Sequence, residues 1–267
     1  IKRLEIDLEE KSKSDNLIKE IKQIIYSQKN KEKVIFALRV VAPGFFFQKD
    51  QIINQKFIEK LKKAKEIAPL HITSVLEEIK LIRKNFPKAK IVACSDSKFH
   101  ETMPIYAKTY AIPKNLATKN QIFRYGYHGL AVQSTINHLK IKKALKPKTI
   151  VCHLGSGCSV TAVLKGKSVD NSMGFSPLEG IMGSTRSGTI DPTLKISSNI
   201  LNHESGFKGL TGSSDLRKIL EKIKTKNNSK EQEALDIFIY QIQKAIGSAI
   251  ATLNGVDLII FTGGIGY

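Results

Sequence analysis

Strand-like segments alternate with helix-like segments along this chain, and this alternation limits the fold more than any other feature. An amphipathic stretch, SDNLIKEIKQIIYS (14–27), precedes a nearly continuous apolar run, KVIFALRVV (33–41). Helices are predicted around 51–67 and 73–86, and a second apolar run, AKIVACSD (89–96), follows them. Short apolar runs between helices are typical of a sheet covered on both faces. The first part of the chain therefore predicts a buried sheet in an α/β fold.

The second part of the chain continues this pattern with a different order of strands. TIVCHLGSGCSVTAVLKGKSVDNS (149–172) predicts three strands, joined by a glycine turn and a Lys-Gly-Lys hairpin turn. A long amphipathic segment (230–255) then leads to VDLIIFTGGIGY (256–267), which predicts a buried strand running into glycines. We expect two α/β lobes, an N-terminal lobe over 1–98 and a C-terminal lobe over 99–267.

Composition indicates the size of the hydrophobic core and the cellular compartment of this protein. The chain has 267 residues and is 41% hydrophobic, enough for one large or two medium cores. No apolar run reaches the roughly 18 residues that span a bilayer, and the first 15 residues lack the apolar core of a signal peptide. The cysteines Cys94, Cys152 and Cys158 form no CxxC pair. We therefore expect a cytoplasmic protein without a membrane partner.

The net charge of +19 raises the possibility of a nucleic-acid partner. The lysines are scattered along helix-like segments, however, and aromatic residues do not interleave with them. Arginine, which commonly contacts phosphate and guanine, is scarce. We therefore favour a solvated lysine coat over nucleic-acid binding. The informative basic residues are the six arginines: Arg3, Arg39, Arg83, Arg124, Arg186 and Arg217.

One glycine-rich stretch, SMGFSPLEGIMGSTRSGTIDP (172–192), has Arg186 as its only basic residue. Arginine offers a planar fork that grips a phosphate or carboxylate at two points, which lysine cannot do. The use of arginine in this stretch therefore indicates a requirement for two-point binding geometry. Arg39 points the same way, because it lies within an apolar run where an unpaired buried charge would be costly.

Three further segments could bind a phosphate or a nucleotide. In HLGSGCS (153–159) a glycine turn between strands could cradle phosphate with backbone N–H groups, or be an ordinary hairpin turn. FTGGIG (261–266) follows a strand, where α/β proteins bind ligands, but a glycine pair alone is a weak signal. GLTGSSDLRKIL (209–220) has the pattern of a capped helix start.

Several of these motifs together closely resemble those of the acetate kinases. The resemblance is carried by DNSMGFSPLEGIMGSTRSGTIDP, SDSKFHETMP, FRYGYHG and HLGSGCSV, with LRVVAPG, IAPLH, SGFKGLTGSSDLR and DLIIFTGGIG in family order. It covers nearly everything from about residue 34 onward. It implies the fold of acetate and sugar kinases, Hsc70 and actin, in which two ribonuclease-H-like lobes close over a nucleotide.

The resemblance also implies an activity and a role for five residues. Family members transfer the γ-phosphoryl of Mg-ATP to acetate or propionate, giving acyl phosphate and ADP, and run the reverse reaction. Arg39 and Arg186 would grip carboxylate and phosphoryl oxygens, and His128 would donate a hydrogen bond to the transferring phosphoryl group. Asp96 would help to hold Mg²⁺, and His71 would lie near the acyl group.

The nucleotide site follows from the same resemblance. A phosphate loop and two adenosine-flanking segments would hold ATP or ADP, and their residues are His153, Gly155, Ser156, Gly157, Ser159, Ser214, Asp215, Leu216, Arg217, Gly263, Gly264, Ile265 and Gly266. Family analogy further implies a homodimer, with acetate and ATP as the small-molecule partners.

The chain departs from the family pattern at both ends. It lacks the family's opening strand and serine-rich loop, N-x-G-S-S-S-x-K, and Tyr267 stands where a glutamate usually follows GGIG. VAPG, LHITS, HGLAV and Ser156 also differ from the family pattern. We therefore expect a kinase truncated at both ends. The alternative is a degenerate relative that binds nucleotide or a partner without catalysis.

Overall fold

The computed structural model describes residues 18–25, 34–65, 69–225 and 229–266. Backbone contacts divide the chain into two compact units. The first comprises the residues up to Val40 together with Gln51–Cys94, and the second comprises Val41–Asp50 and the chain from Ser95 onward. A two-lobe division at 98/99 stays a prediction.

The first unit is a small sheet with helices. Its strands are β1 (Ile35–Val40), β2 (Gln51–Ile52) and β3 (Lys90–Ser95), in the order β1-β3-β2, and its helices are α1 (18–25), α2 (Gln55–Ala64) and α3 (Pro69–Asn85). The helix predicted over 51–67 begins only at residue 55. Asn54 is the reason, because its side chain accepts a hydrogen bond from the Phe57 N–H and caps the helix start.

The prediction that β1 is buried on both faces is wrong. Exposed and half-buried residues alternate along the strand from Ile35 to Arg39, and Arg39 itself is exposed. Successive strand residues point to opposite faces, and β1 lies at the edge of its sheet, with one face covered in the part of the chain that the structure describes. The cost of burying a charge therefore does not explain Arg39.

The second unit contains a four-stranded sheet in the order β6-β5-β4-β7. Its strands are β4 (Lys148–Leu154), β5 (Cys158–Leu164), β6 (Lys167–Asn171) and β7 (Leu258–Thr262). Strands β4, β5 and β6 form an antiparallel meander, as the pattern of 149–172 predicts. Strand β7 pairs with β4 in parallel, and the Ile150↔Ile259 and His153↔Thr262 partners define the register.

Both faces of this sheet are covered, as expected for an α/β fold. On β4, Ile150 and Cys152 pack on one side with Phe238 of the long helix α9 (Lys230–Leu253), whereas Val151 packs on the other side with Val132 of helix α6 (Gly129–Ile141). The helical segments of this unit are Phe45–Phe47 (3-10), Lys98–Thr102 (3-10), α4 (Ile105–Lys108), α5 (Lys114–Asn120), α6 (Gly129–Ile141), Pro192–Leu194 (3-10), Ile200–Glu204 (π), α7 (Gly206–Thr211), α8 (Leu216–Thr225), α9 (Lys230–Leu253) and α10 (Gly263–Gly266).

Strand β7 is predicted to be buried, but in the structure it is partly exposed. Ile259 keeps 36% and Phe261 keeps 51% of its surface exposed. The physical reason is the strand order, in which β7 is an edge strand with β4 as its neighbour. In the described ranges, no helix is both long and apolar enough to cross a membrane.

Candidate active site

His128 lies where a strand end meets a helix start. The residue is almost fully buried at the N-cap of α6, in the left-handed conformation with φ of 60°. Its backbone N–H donates to Asp96 Oδ2 at 2.8 Å, and the Gly129 N–H donates to the Asp96 backbone oxygen at 2.7 Å. A Cβ on Gly129 would overlap that oxygen, so the glycine is required. Asp96, which directly follows β3, therefore fixes the backbone that carries His128.

The His128 ring is held by the sheet of the second unit. Its Nδ1 lies 3.0 Å from Ser159 Oγ on β5. The ring also meets the His153 ring edge to face, with 4.7 Å between centroids. His153 in turn has its Nδ1 2.9 Å from Thr262 Oγ1 at the end of β7. Each imidazole is thus anchored through Nδ1 to a hydroxyl group.

Arg186 reaches the same place from the glycine-rich stretch 172–192. The Ser184 N–H donates to the Ser156 backbone oxygen at 2.9 Å, so the segment bearing Arg186 folds over the 155–157 turn. A Cβ built on Gly157 would lie 3.0 Å from Arg186 Nη1 and 3.4 Å from His128 Nε2. The guanidinium and the imidazole therefore converge beside a glycine that leaves them room.

The glycine turn at 155–157 and the glycine segment at 263–266 meet at the carboxyl ends of β4 and β7. Gly263, with φ of 83°, packs so tightly against the Leu154 backbone that a side chain would not fit. Ser156 is exposed, whereas Ser159 is fully buried. Neighbouring parallel strands end at this edge, which is where α/β proteins bind ligands. The Ser159 hydroxyl lies against His128, and a contact of Ser159 with the nucleotide stays a prediction.

The segment from Ser214 to Arg217 has the geometry of a helix cap. The Asp215 carboxylate accepts from the Arg217 N–H at 3.0 Å and pairs with its guanidinium at 2.9 Å. This hydrogen bonding lowers the pKa of Asp215, and the Arg217 side chain stays 89% exposed. A contact of these residues with adenosine stays a prediction.

The structure brings some predicted residues together and assigns others to the first unit. His128, Arg186, Asp96 and the glycine turn share one region of the second unit. Arg39 lies on β1 and His71 lies in the first turn of α3, both in the first unit. The side chain of His71 is outside the described part of the structure.

A cluster that the sequence did not single out supports the glycine-rich stretch. Tyr110 donates to Glu179 Oε2, Arg124 pairs with Glu179 Oε1, and the Tyr110 hydroxyl accepts from the Phe175 N–H at 2.8 Å. Burial, reinforced by Glu179, raises the pKa of Tyr110. Gly174 accepts from the Tyr125 N–H at 3.0 Å. Two features of the sequence point to Arg124, which are the scarcity of arginine and its place in the motif FRYGYHG.

The fold and this region define an α/β protein in which a glycine turn, an imidazole and a guanidinium share one edge of a covered sheet. The chain belongs to the Acetokinase family, whose model matches residues 3–267. The predicted family and fold class are therefore confirmed.

Individual relatives agree with this assignment. An acetate kinase of Sulfurovum sp. (strain NBC37-1) is 41% identical over a 244-residue alignment, which covers 85% of this chain and 61% of that relative. An acetate kinase of Francisella tularensis subsp. holarctica is 38% identical over 92% of this chain and 68% of its own length. This chain thus spans about two thirds or less of these curated relatives.

Solved structures show the same similarity. A propionate kinase from Francisella tularensis subsp. tularensis matches with a TM-score of 0.84 and 38% identity, over 94% of this chain and 69% of that one. The acetate kinase of Entamoeba histolytica matches with a TM-score of 0.80 and 33% identity, over 96% of this chain and 69% of that one.

Proposed function

We propose that this protein is an acetate kinase, which transfers the γ-phosphoryl of Mg-ATP to acetate or propionate and also runs the reverse reaction. The convergence of His128 Nε2 and Arg186 Nη1 beside Gly157 carries this proposal, in a chain of the Acetokinase family. A guanidinium and an imidazole that converge on one point suit a phosphoryl group whose negative charge is spread over three oxygens.

The chemistry is an in-line displacement. A carboxylate oxygen forms a bond to the γ-phosphorus while the bond from that phosphorus to the β–γ bridging oxygen breaks, and ADP leaves with the electron pair. The Arg186 guanidinium would offset the charge on the equatorial oxygens, and His128 Nε2–H would donate to one of them. Donors placed in advance where charge develops are among the largest contributions to such catalysis.

Mg²⁺ enters this proposal as part of the Mg-ATP substrate. Asp96 is the predicted contact of the ion, and carboxylate oxygen is the ligand type that Mg²⁺ prefers. One of its oxygens already accepts the His128 N–H. Within the described ranges, no group of three or more His, Cys, Asp or Glu side chains is placed to hold a metal ion. Positioning of His128 is therefore the role of Asp96 that the geometry supports directly.

Family resemblance alone supports several parts of the proposal. These are the grip of Arg39 on the carboxylate, the place of His71 near the acyl group, the adenosine contacts, the homodimer and the cytoplasmic location. It also leaves acetate and propionate both open as substrates, because the structural neighbours include a kinase of each. We propose neither a nucleic-acid nor a membrane partner.

The test is acyl phosphate formation from acetate and Mg-ATP, trapped with hydroxylamine. We expect Arg186→Ala to lower kcat/KM by at least ~10²-fold, the scale of a lost charge-stabilising donor. Lys244→Ala, which removes an exposed cation of α9, is the control and should keep the parent value. Turnover in Arg186→Ala equal to the parent would refute the assignment. A folded parent that binds ATP without forming acyl phosphate would favour the non-catalytic alternative.

A further inference from the structure

Ser159 has a position that a nucleotide contact does not explain. The residue lies on the central strand β5 and is fully buried. Its Oγ is 3.0 Å from His128 Nδ1, whereas the other ring nitrogen, Nε2, is the one that approaches Gly157. A fully buried hydroxyl cannot reach a ligand at the exposed Ser156 turn without rearrangement of the strand.

The partner of Nδ1 decides where a neutral imidazole carries its proton. A neutral ring has one N–H, so a hydroxyl that donates to Nδ1 leaves the proton on Nε2. In His128, Nε2 is the nitrogen that lies beside Gly157 together with Arg186 Nη1. A phosphoryl group bound by these two side chains needs donors, and it would be repelled by an Nε2 lone pair.

The same arrangement occurs in the neighbouring ring. His153 Nδ1 lies 2.9 Å from Thr262 Oγ1, and the two rings touch edge to face. Both imidazoles are therefore anchored by a hydroxyl at Nδ1 rather than by a carboxylate. A hydroxyl can donate to a neutral ring, whereas a carboxylate at Nδ1 would draw the proton to that side.

We propose that Ser159 is a positioning residue that donates its O–H to His128 Nδ1 and so keeps the His128 proton on Nε2, facing the transferring phosphoryl group. The proposal rests on the proposed phosphoryl transfer. It replaces the predicted nucleotide contact of Ser159 with a role that acts through His128.

The test follows the ring nitrogens of His128 directly. In protein labelled with ¹⁵N-histidine, long-range ¹H–¹⁵N spectra distinguish a protonated from an unprotonated ring nitrogen, and His128→Gln assigns the signals. We expect the parent to carry the proton on Nε2. Ser159→Ala should shift the population toward Nδ1–H, and Ser159→Thr, which restores a hydroxyl, should return it. Ser134→Ala, on the exposed surface of α6, should leave the spectrum unchanged.

Kinetics supply the second measurement. We expect Ser159→Ala to lower kcat by about 10- to 100-fold, by analogy with the loss of a partner that orients a metal-bound histidine, with KM for ATP unchanged. A raised KM for ATP with unchanged kcat would overturn the proposal in favour of a nucleotide contact. A parent His128 protonated on Nδ1, or a tautomer that Ser159→Ala leaves unchanged, would also overturn it. Because the spectra need no turnover, they test Ser159 even if the kinase assignment fails.

Discussion

Acidification should destabilise this protein through His100, a histidine outside the proposed catalytic group. The ring is fully buried beneath the Tyr125–Tyr127 segment. Its Nε2 donates to the Tyr127 carbonyl at 3.0 Å, which leaves Nδ1 to accept from Ser168 Oγ at 2.9 Å. A neutral His100 ring thus forms a hydrogen bond through each of its two nitrogens. Protonation would place a second N–H against the serine hydroxyl in a site without water contact.

The magnitude follows from the pKa. Burial lowers the pKa of His100 from 6.5 to about 4. The hydrogen bond to the Tyr127 carbonyl and the charge of Asp96 raise this pKa and the charge of Lys108 lowers it further, but each of these effects is smaller than that of burial. Between these two values the unfolded chain binds a proton that the folded protein does not, so the free energy of unfolding falls as the pH falls. The loss begins near the unfolded pKa and is complete near the folded pKa. It amounts to about 3 kcal/mol, a large part of a typical stability of about 5–15 kcal/mol.

Urea unfolding followed by circular dichroism at several pH values between 7 and 4 measures this loss. Other groups titrate in the same window, so the comparison is with His100→Gln, which keeps a hydrogen-bonding side chain but cannot titrate there. We expect the parent to lose about 3 kcal/mol more than the variant on acidification. Parallel pH dependence of the two proteins would refute the reasoning. If the variant does not fold, NMR titration of the parent decides, and protonation of His100 above pH 5.5 would count against it.

Two further predictions test the packing of the second unit. Glu179→Gln should lower the free energy of unfolding in urea by about 1–2 kcal/mol, because it weakens a partly exposed charge-assisted pair with Arg124. The exposed Glu233→Gln should change it far less, and equal losses would contradict this account. Burial raises the pKa of both Cys152 and Cys158 to about 11, so neither thiol should react with a disulfide reagent at pH 8 until urea unfolds the protein. Fast labelling of either thiol in the folded state, measured by mass spectrometry, would show that the site is open.

Much of the fold could be predicted because it depends on local patterns. The strands of 149–172 alternate residues between two apolar layers, so their period of two is strong enough to predict a covered meander. The glycines and the arginine of 172–192 pointed to a site because they stand out from a lysine-rich chain. Family resemblance then supplied His128 and Asp96, which periodicity alone would have left as ordinary polar residues.

Strand exposure and the pairing of side chains were decided by the tertiary structure. An apolar run has the same sequence pattern at the centre of a sheet and at its edge, so β1 and β7 were both predicted to be more buried than they are. Likewise, the sequence presented Ser159 as part of a glycine turn that could bind phosphate. Only the packing of β5 against the start of α6 brings its hydroxyl to His128 and removes it from solvent. A hydrogen bond between residues 31 positions apart depends on how elements pack, and local sequence pattern does not encode it.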